Sequence, residues 1–393
     1  MPEPFPLNDI RSLLKAIALV GRAHPKVPNA QAVERLASYY SDTGLDRGAL
    51  ERSDGSLTRR EILSRFLLLS VVLDQGPDIT GIRFMVLEVL NALYRQGIPV
   101  LHEPSTFFAN LSAVRRAIAS AHDEAASRYG RLWAEVNQSN PEKYNLFTDN
   151  SRQILGYMMF RWGTPLALCI TLQQDHPSPS PLLDYLESFP SAELMSQGLK
   201  DSRRYGLGKA IGDKACHLYA KWLCSSLRIS RRTDTGWGDF SYEVPFDSNA
   251  GRVLWRTGFF QVLASEDNYE KWDVLQPGAG KGKTTYIRVT NVRGKPVKTV
   301  MPPEIIEANR AVSVDHFRTH KAAPHQVQIQ RLPHAVMLLG STDLGPADLD
   351  EGLIHIGTNY CFNTDSPRCT ECPVKGHCQG YLSHPALISE YRT

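Results

Sequence analysis

The 393-residue sequence has no apolar run approaching the roughly 18 residues that suggest a membrane-spanning helix. Its N-terminus, MPEPFPLNDIRSLLKAI, lacks the basic-then-apolar order of a secretory signal. Both absences point to a soluble, cytoplasmic protein with no membrane partner. An excess of charge of one sign is also missing: 44 Lys and Arg stand against 41 Asp and Glu, a net +3. The molecule is therefore no polycation that would bind nucleic acid by total charge alone. No internal repeat and no long low-complexity tract is found. The 42% apolar and 22% charged composition is that of an ordinary globular chain with a sizeable core, long enough for one large domain or two ordinary ones.

The charge is unevenly placed. Between Lys200 and Arg232 stand nine basic residues (Lys200, Arg203, Arg204, Lys209, Lys214, Lys221, Arg228, Arg231, Arg232) against Asp201 and Asp213. Such a run is often only a solvated face, and its meaning depends on the motif inside it. Around it the pattern is helical. Residues 57–75 and 81–97 carry apolar residues at helical spacing, including Ile82, Met85, Val86, Val89, Leu90 and Leu93. Residues 105–136 predict a long Ala-rich helix capped by Ser105. Turn-rich breaks follow at 137–145 and 173–181, with a helical segment around LGYMMFRWG between them. A second helical block is expected from Pro181 to about Arg228. Residues 276–303 break the pattern: a Gly/Lys tip, a strand, a turn at Arg293-Gly294-Lys295 and a second strand, a small β insertion. Helical character then resumes up to a cysteine cluster.

Only seven cysteines are present. Cys169, Cys216 and Cys224 fall in helical patterns and read as small buried hydrophobes. Cys361, Cys369, Cys372 and Cys378 form C-x7-C-x2-C-x5-C, a crowding that in a cytosolic chain means metal rather than disulfides. Four thiolates suit structural zinc and a [4Fe–4S] cluster alike. One close pair, instead of two C-x2-C hooks on a longer loop, favours iron–sulfur.

The segment EGLIHIGTNYCFNTDSPRCTECPVKGHC resembles the C-terminal loop of endonuclease III and the adenine-mismatch glycosylases, which hold a [4Fe–4S] cluster on C-x6-C-x2-C-x5-C. It has one extra residue in the first interval, and shares the Pro-Arg before the second Cys and the Pro after the third. The family's loop touches DNA, so the resemblance makes Arg368 and Lys375 candidate phosphate contacts. Equally, they could be idle surface residues.

Within the basic run, GKAIGDKACHLYAKWL is similar to the family's hairpin pattern Leu-Pro-Gly-Val-Gly-Arg-Lys-Thr-Ala. Ala210, Ile211 and Gly212 stand for Gly-Val-Gly, and Lys214 falls on the catalytic lysine. Such a hairpin aims backbone N–H groups and a helix N-terminus at a phosphate, with Lys209 beside it, and reads no sequence. Ala210 departs from the first Gly; a positive φ there would cost about 1 kcal/mol. Asp213 replaces a basic residue. By itself Lys214 would be an ordinary helix-start lysine. VPFDSNAGRVLWRTGFF resembles the segment carrying the family's catalytic aspartate, which places Asp247 in that role and Arg252 among the backbone contacts. A helix N-cap at Asp247 or Ser248 is compatible with it. The 33 positions between Lys214 and Asp247 exceed the endonuclease III interval, with the surplus near 229–243 reading as a loop. LLLSVVLDQGPDITGIR resembles the helix whose glutamine wedges into the duplex, which falls on Gln75; otherwise this is only a helix end before Pro77.

The resemblance implies an all-α, two-lobed helix–hairpin–helix glycosylase fold with a C-terminal iron–sulfur loop and a small β insertion. The expected divisions are a helical extension (1–58), a helical lobe (59–200), the hairpin and aspartate segment (201–262), the insertion (263–330) and terminal helices with the cluster loop (331–393). It implies a monomeric base-excision DNA glycosylase acting on duplex DNA. Asp247 would stabilise the sugar cation, and Lys214, if held neutral well below its ordinary pKa of about 10.4, would add AP-lyase chemistry. Two alternatives stay open: a relative that has lost catalysis and serves DNA modification or defence, and an iron–sulfur nuclease. Such nucleases set their first cysteine far upstream and carry an Asp…Glu-x-Lys site.

Overall fold

The computed structural model describes residues 7–25, 56–73, 86, 89–120, 151–190, 192–230, 232, 244–245, 248–259, 277–279, 285–287, 343–362, 364 and 366–390. Among them the chain is mostly helical, as an all-α class requires. In chain order the helices are α1 (Leu7–Ala23), α2 (Arg59–Val71), α3 (Ser105–Ala109), α4 (Ser151–Asp175), α5 (Pro181–Glu187), α6 (Ala192–Asp201), α7 (Asp213–Lys221), α8 (Ser248–Arg256), α9 (Pro346–Asn359), α10 (Gln379–Leu382) and α11 (Ala386–Glu390). Strands β1 (Pro277–Ala279) and β2 (Thr285–Ile287) pair antiparallel, Pro277 opposite Ile287. The expected strand thus pairs back to residues 277–279 and not forward along the chain, and residues 280–284 lie outside the described set. The expected turn at 293–295 and the strand after it lie outside the described residues, as do Gln75 and Asp247.

The chain forms two compact units, residues 1–28 with 234–393, and residues 29–233. The N-terminal helix thus groups with the cysteine-bearing end of the chain. Its apolar residues Ile10, Leu13, Leu14 and Ile17 follow the i, i+3, i+4, i+7 pattern and are fully buried. They face α9, where Leu349, Leu353 and Ile356 are buried in turn. The two helices touch backbone to backbone. A Cβ on Gly21 would lie 1.9 Å from the Asp348 carbonyl oxygen, and one on Gly352 1.9 Å from that of Ile17, so any side chain there would force them apart. Arg22 closes the crossing, with Nη1 2.5 Å from Asp343 and Nη2 2.8 Å from Asp348.

In the other unit α2 is buried on nearly every face, from Glu61 to Val71, which makes it the central helix. Thr58 caps its start, accepting from the Glu61 N–H. Burying Glu61 and Arg65 would be costly without partners. Arg65 Nε lies 2.7 Å from Glu61 Oε1, and Arg65 Nη1 donates to the Leu101 carbonyl at 2.9 Å. The Glu61 carboxylate accepts the first amides of α5, Leu182 N at 3.2 Å and Leu183 N at 3.0 Å. A carboxylate at a helix N-terminus is favoured there by the peptide dipoles.

The expected 105–136 helix is interrupted. α3 ends at Asn110, whose φ of −127° leaves the helical region, and helical residues resume at 111–120. Ser105 lies inside the first turn, with Pro104 at the cap position, so the serine is not the N-cap the sequence suggested. Residues beyond 120 in that segment lie outside the described set. Cys169, Cys216 and Cys224 are buried, as expected of small hydrophobes. Two members of the basic run, Lys200 and Lys221, are only 7% and 2% exposed, so the run is no uniform solvated face.

Two outcomes follow for stability. Glu61→Ala leaves Arg65 charged and unpaired in the core, and should cost about 3–5 kcal/mol, read as a drop in thermal midpoint. His217 on α7 has its pKa lowered to about 4 by burial and by the charge of Lys200. Between about 4 and 6.5 the unfolded chain then binds more protons than the folded one. Stability is thus full above pH 6.5 and lost as pH falls toward 4, by at most about 3 kcal/mol. Denaturant midpoints across that window should flatten in His217→Gln.

Candidate metal centre and hairpin

α9 delivers the first cysteine. The helix opens at Pro346, with the Gly345 N–H bonded to the Asp348 carboxylate at 3.0 Å, and ends at Tyr360. The Cys361 N–H turns back to the Ile356 carbonyl at 2.8 Å, which reverses the chain into the loop. Two short 3-10 turns, Cys369–Glu371 and Lys375–His377, carry the remaining thiols. Their bonds run from cysteine to cysteine: Cys372 N to Cys369 O at 3.2 Å, Lys375 N to Cys372 O at 3.1 Å and Cys378 N to Lys375 O at 3.2 Å. Arg368 N returns to Tyr360 O at 2.9 Å.

This winding brings all four cysteines to the wall of one pocket, with Val253, Ile356, Val374 and Ile388 as its apolar sides and Arg256 and Lys375 as its cations. Among the described residues no Asp or Glu lines it. Among the described residues no group of three or more His, Cys, Asp or Glu is spaced to hold an ion. Burial, and to a lesser extent the neighbouring thiols, push Cys372 up to about 11 and Cys378 up to about 12, with Cys369 raised for the same reasons. Thiols so placed ionise only when positive charge joins them, as metal ligation supplies. An all-sulfur donor set in an apolar pocket fits a [4Fe–4S] cluster, and the donor count alone fits zinc as well.

The pocket is held from α8, which begins at Ser248 directly after Asp247 in the chain. Arg252 and Arg256, one turn apart, both point at the first-cysteine loop. Arg252 donates to the Cys361 carbonyl at 2.7 Å, to the Gly357 carbonyl at 2.9 Å and to Asn249 Oδ1 at 2.7 Å. Arg256 donates to Phe362 O at 2.6 Å and Thr364 O at 3.1 Å, and its Nη1 lies 3.8 Å from the Cys361 sulfur. The sequence suggested Arg252 as a nucleic-acid contact. It is 3% exposed and binds the protein's own backbone. Arg256 was missed, although the Arg-x3-Arg spacing on an amphipathic helix marks two arginines on one face. Arg368 and Lys375 are exposed. Arg368 stacks 5.6 Å from the Phe362 ring, and Lys375 Nζ donates to Thr370 O at 2.6 Å.

In the other unit α6 and α7 pack together across a short turn. Leu207 N bonds back to Leu199 O at 2.8 Å, and Gly208–Ala210 form a 3-10 turn. The positive φ is at Gly208, +53°, and not at Ala210, so the Ala-for-Gly departure carries no backbone strain. Gly212 is the N-cap of α7, extended at φ −92°, and offers no side chain to the first amides of the helix. Lys209 is exposed, Ala210 is buried and Lys214 is half-buried near the start of α7. The structure thus gathers Lys209, Ala210, Gly212 and Lys214 on one turn, and the four cysteines on one pocket. The unit boundary at 233/234 falls inside the expected 201–262 segment, with Lys214 on one side and sequence position 247 on the other.

No protein-family model, no curated protein and no solved structure matches the chain.

Arg256→Gln removes charged donors from two loop carbonyls, each such bond being worth about 1.5–3 kcal/mol. The loop around Cys361 should open more often. Labelling of the four loop cysteines by a thiol reagent should speed up by about tenfold or more at unchanged helicity.

Proposed function

We propose that the chain is a base-excision DNA glycosylase carrying a [4Fe–4S] cluster on Cys361, Cys369, Cys372 and Cys378. The observation that carries this reading is the meeting of those four thiols in one pocket that no acidic side chain lines among the described residues, braced from the helix that follows Asp247. The cluster, when bound, would hold the loop 361–378 in one shape. The nucleic-acid backbone would be gripped by the α6–α7 turn, where Gly212 leaves the first amides of α7 without a side-chain cap and Lys209 is exposed. Arg368 and Lys375 are the loop's exposed cations.

In this reading Asp247 stabilises positive charge on the sugar as the bond from C1′ to the base nitrogen breaks. The departing base takes the bonding pair and is protonated. The neutral Lys214 amine adds its lone pair to C1′ and gives up a proton; the C1′–O4′ bond then breaks, O4′ taking the pair and a proton as the ring opens to an iminium, and loss of a C2′ proton expels the 3′ phosphate by β-elimination. Gln75 fills the space of an extruded base.

The test joins composition to chemistry. Protein purified without oxygen should be brown, with iron and sulfide near four each per chain. On a panel of duplexes bearing damaged, mismatched or modified bases it should release a base, and borohydride should trap a covalent complex lost in Lys214→Ala. A colourless, iron-free protein removes the cluster. Wild type no more active than Lys214→Ala removes the catalytic role. Tight, salt-sensitive binding with no product on any duplex indicates a relative that binds without cutting.

A further inference from the structure

A single guanidinium on α4 joins two segments assigned to nucleic acid above. Arg161 Nη1 donates to the Val72 carbonyl at 3.1 Å and to the Ala210 carbonyl at 2.6 Å. Val72 caps the C-terminus of α2 and stands three residues before Gln75 in the chain. Ala210 lies in the hairpin turn, four residues before Lys214. α4 carries no part of the family resemblance, so nothing in the motif reading pointed to it.

Both ends of this contact are sites where a cation is favoured. The last carbonyls of α2 have no partner within the helix and carry its negative dipole end. Bonds from an ionised donor are about twice as strong as neutral ones. The hairpin bond also has a directional consequence. In a planar trans peptide the C=O and the following N–H point in opposite directions. With the Ala210 carbonyl drawn toward α4, the Ile211 N–H is turned away from α4. The adjacent Trp162 offers a contrast: its Nε1 donates to Leu69 O at 3.1 Å, binding the same helix end with no bond to the hairpin.

We propose that Arg161 is a positioning residue for the nucleic-acid-binding hairpin, fixing the Ala210–Ile211 peptide and tying it to the end of α2. The role rests on the nucleic-acid reading of the hairpin, and the geometry can be tested without nucleic acid.

The experiment compares full-length wild type, Arg161→Gln, Arg161→Lys and Trp162→Phe. Amide hydrogen exchange is followed without nucleic acid over residues 207–215, and binding to an undamaged duplex is measured at several salt concentrations. Arg161→Gln should speed exchange in 207–215 and weaken duplex binding, each by about tenfold, the equivalent of one charged hydrogen bond. Arg161→Lys, which keeps the charge and can reach a carbonyl, should return both to within about threefold of wild type. Trp162→Phe should lower the thermal midpoint while leaving hairpin exchange and duplex affinity at wild-type values. The proposal is overturned if Arg161→Gln only lowers the midpoint, or if Trp162→Phe loosens the hairpin as much. Should Arg161→Gln not fold, Arg161→Met, which keeps an unbranched side chain and removes every donor, takes its place, and wild-type exchange with wild-type affinity in that variant overturns the proposal as well. Wild type that binds no duplex defeats the nucleic-acid reading, while exchange over 207–215 still decides what Arg161 does.

Discussion

Backbone that leaves a helix must still find partners for its carbonyls, and here buried or half-buried arginines supply them. Arg65 on α2 reaches the Leu101 carbonyl, Arg252 and Arg256 on α8 reach four carbonyls between Gly357 and Thr364, and Arg161 on α4 reaches Val72 and Ala210. Arg60, at the start of α2, donates to Ile229 O. A buried carbonyl without a donor costs as much as a lost hydrogen bond, and a short irregular loop has few donors of its own. A long side chain with five fixed N–H groups can serve two carbonyls from a neighbouring helix. Every irregular segment that carries a candidate functional residue in the described structure, the hairpin and the cysteine loop alike, is held in this way.

The same economy explains why the basic run was a poor guide to the surface. Its lysines at 200 and 221 are buried, and Arg204 pairs with Asp175 at 2.6 Å. What is exposed in the run's first half, Arg203, Lys209 and the Asp175-paired Arg204, lies at or just before the hairpin turn. Positive charge is thus concentrated by local geometry, while the chain as a whole stays near neutral, at +3. A protein of this kind would grip a phosphate backbone at a few points and not along a continuous stripe.

The helices were legible because their cause is local: apolar residues at a 3.6-residue period, caps such as Thr58, and Pro181 at the start of α5. The convergence of four cysteines could be inferred from spacing, because an eighteen-residue stretch cannot keep its thiols far apart. The break at Asn110 was not legible, since Ala-rich flanks favour helix on both sides. Nor was the role of Arg252, because an arginine on a helix face looks the same in sequence whether it reaches solvent or a buried carbonyl. Ala210 was judged by the family's glycine, whereas the left-handed residue of this turn is Gly208, two positions earlier. The β1–β2 pairing depends on which neighbour a strand selects, and strand propensity does not encode that choice.

The association of α1 with α9 has a cause that no local pattern reveals. More than 300 residues separate Gly21 from Gly352, yet their backbones are in contact. The loop entropy for such closure grows only as the logarithm of length, so an excursion of about 300 residues adds roughly 1.5 kcal/mol over one of 50 residues. Against that stand four fully buried side chains on α1, each worth about 1.5–3 kcal/mol when removed from water. Packing therefore outweighs the cost of distance, provided the helices approach closely enough to exclude water. Gly21 and Gly352 permit that approach, and Arg22 fixes it with two carboxylates. The first helix of the chain is in this sense part of the support of the last: it packs along α9 and also meets the Lys375–His377 turn of the cysteine loop, so the position of the first thiol depends on a segment that carries no chemistry of its own.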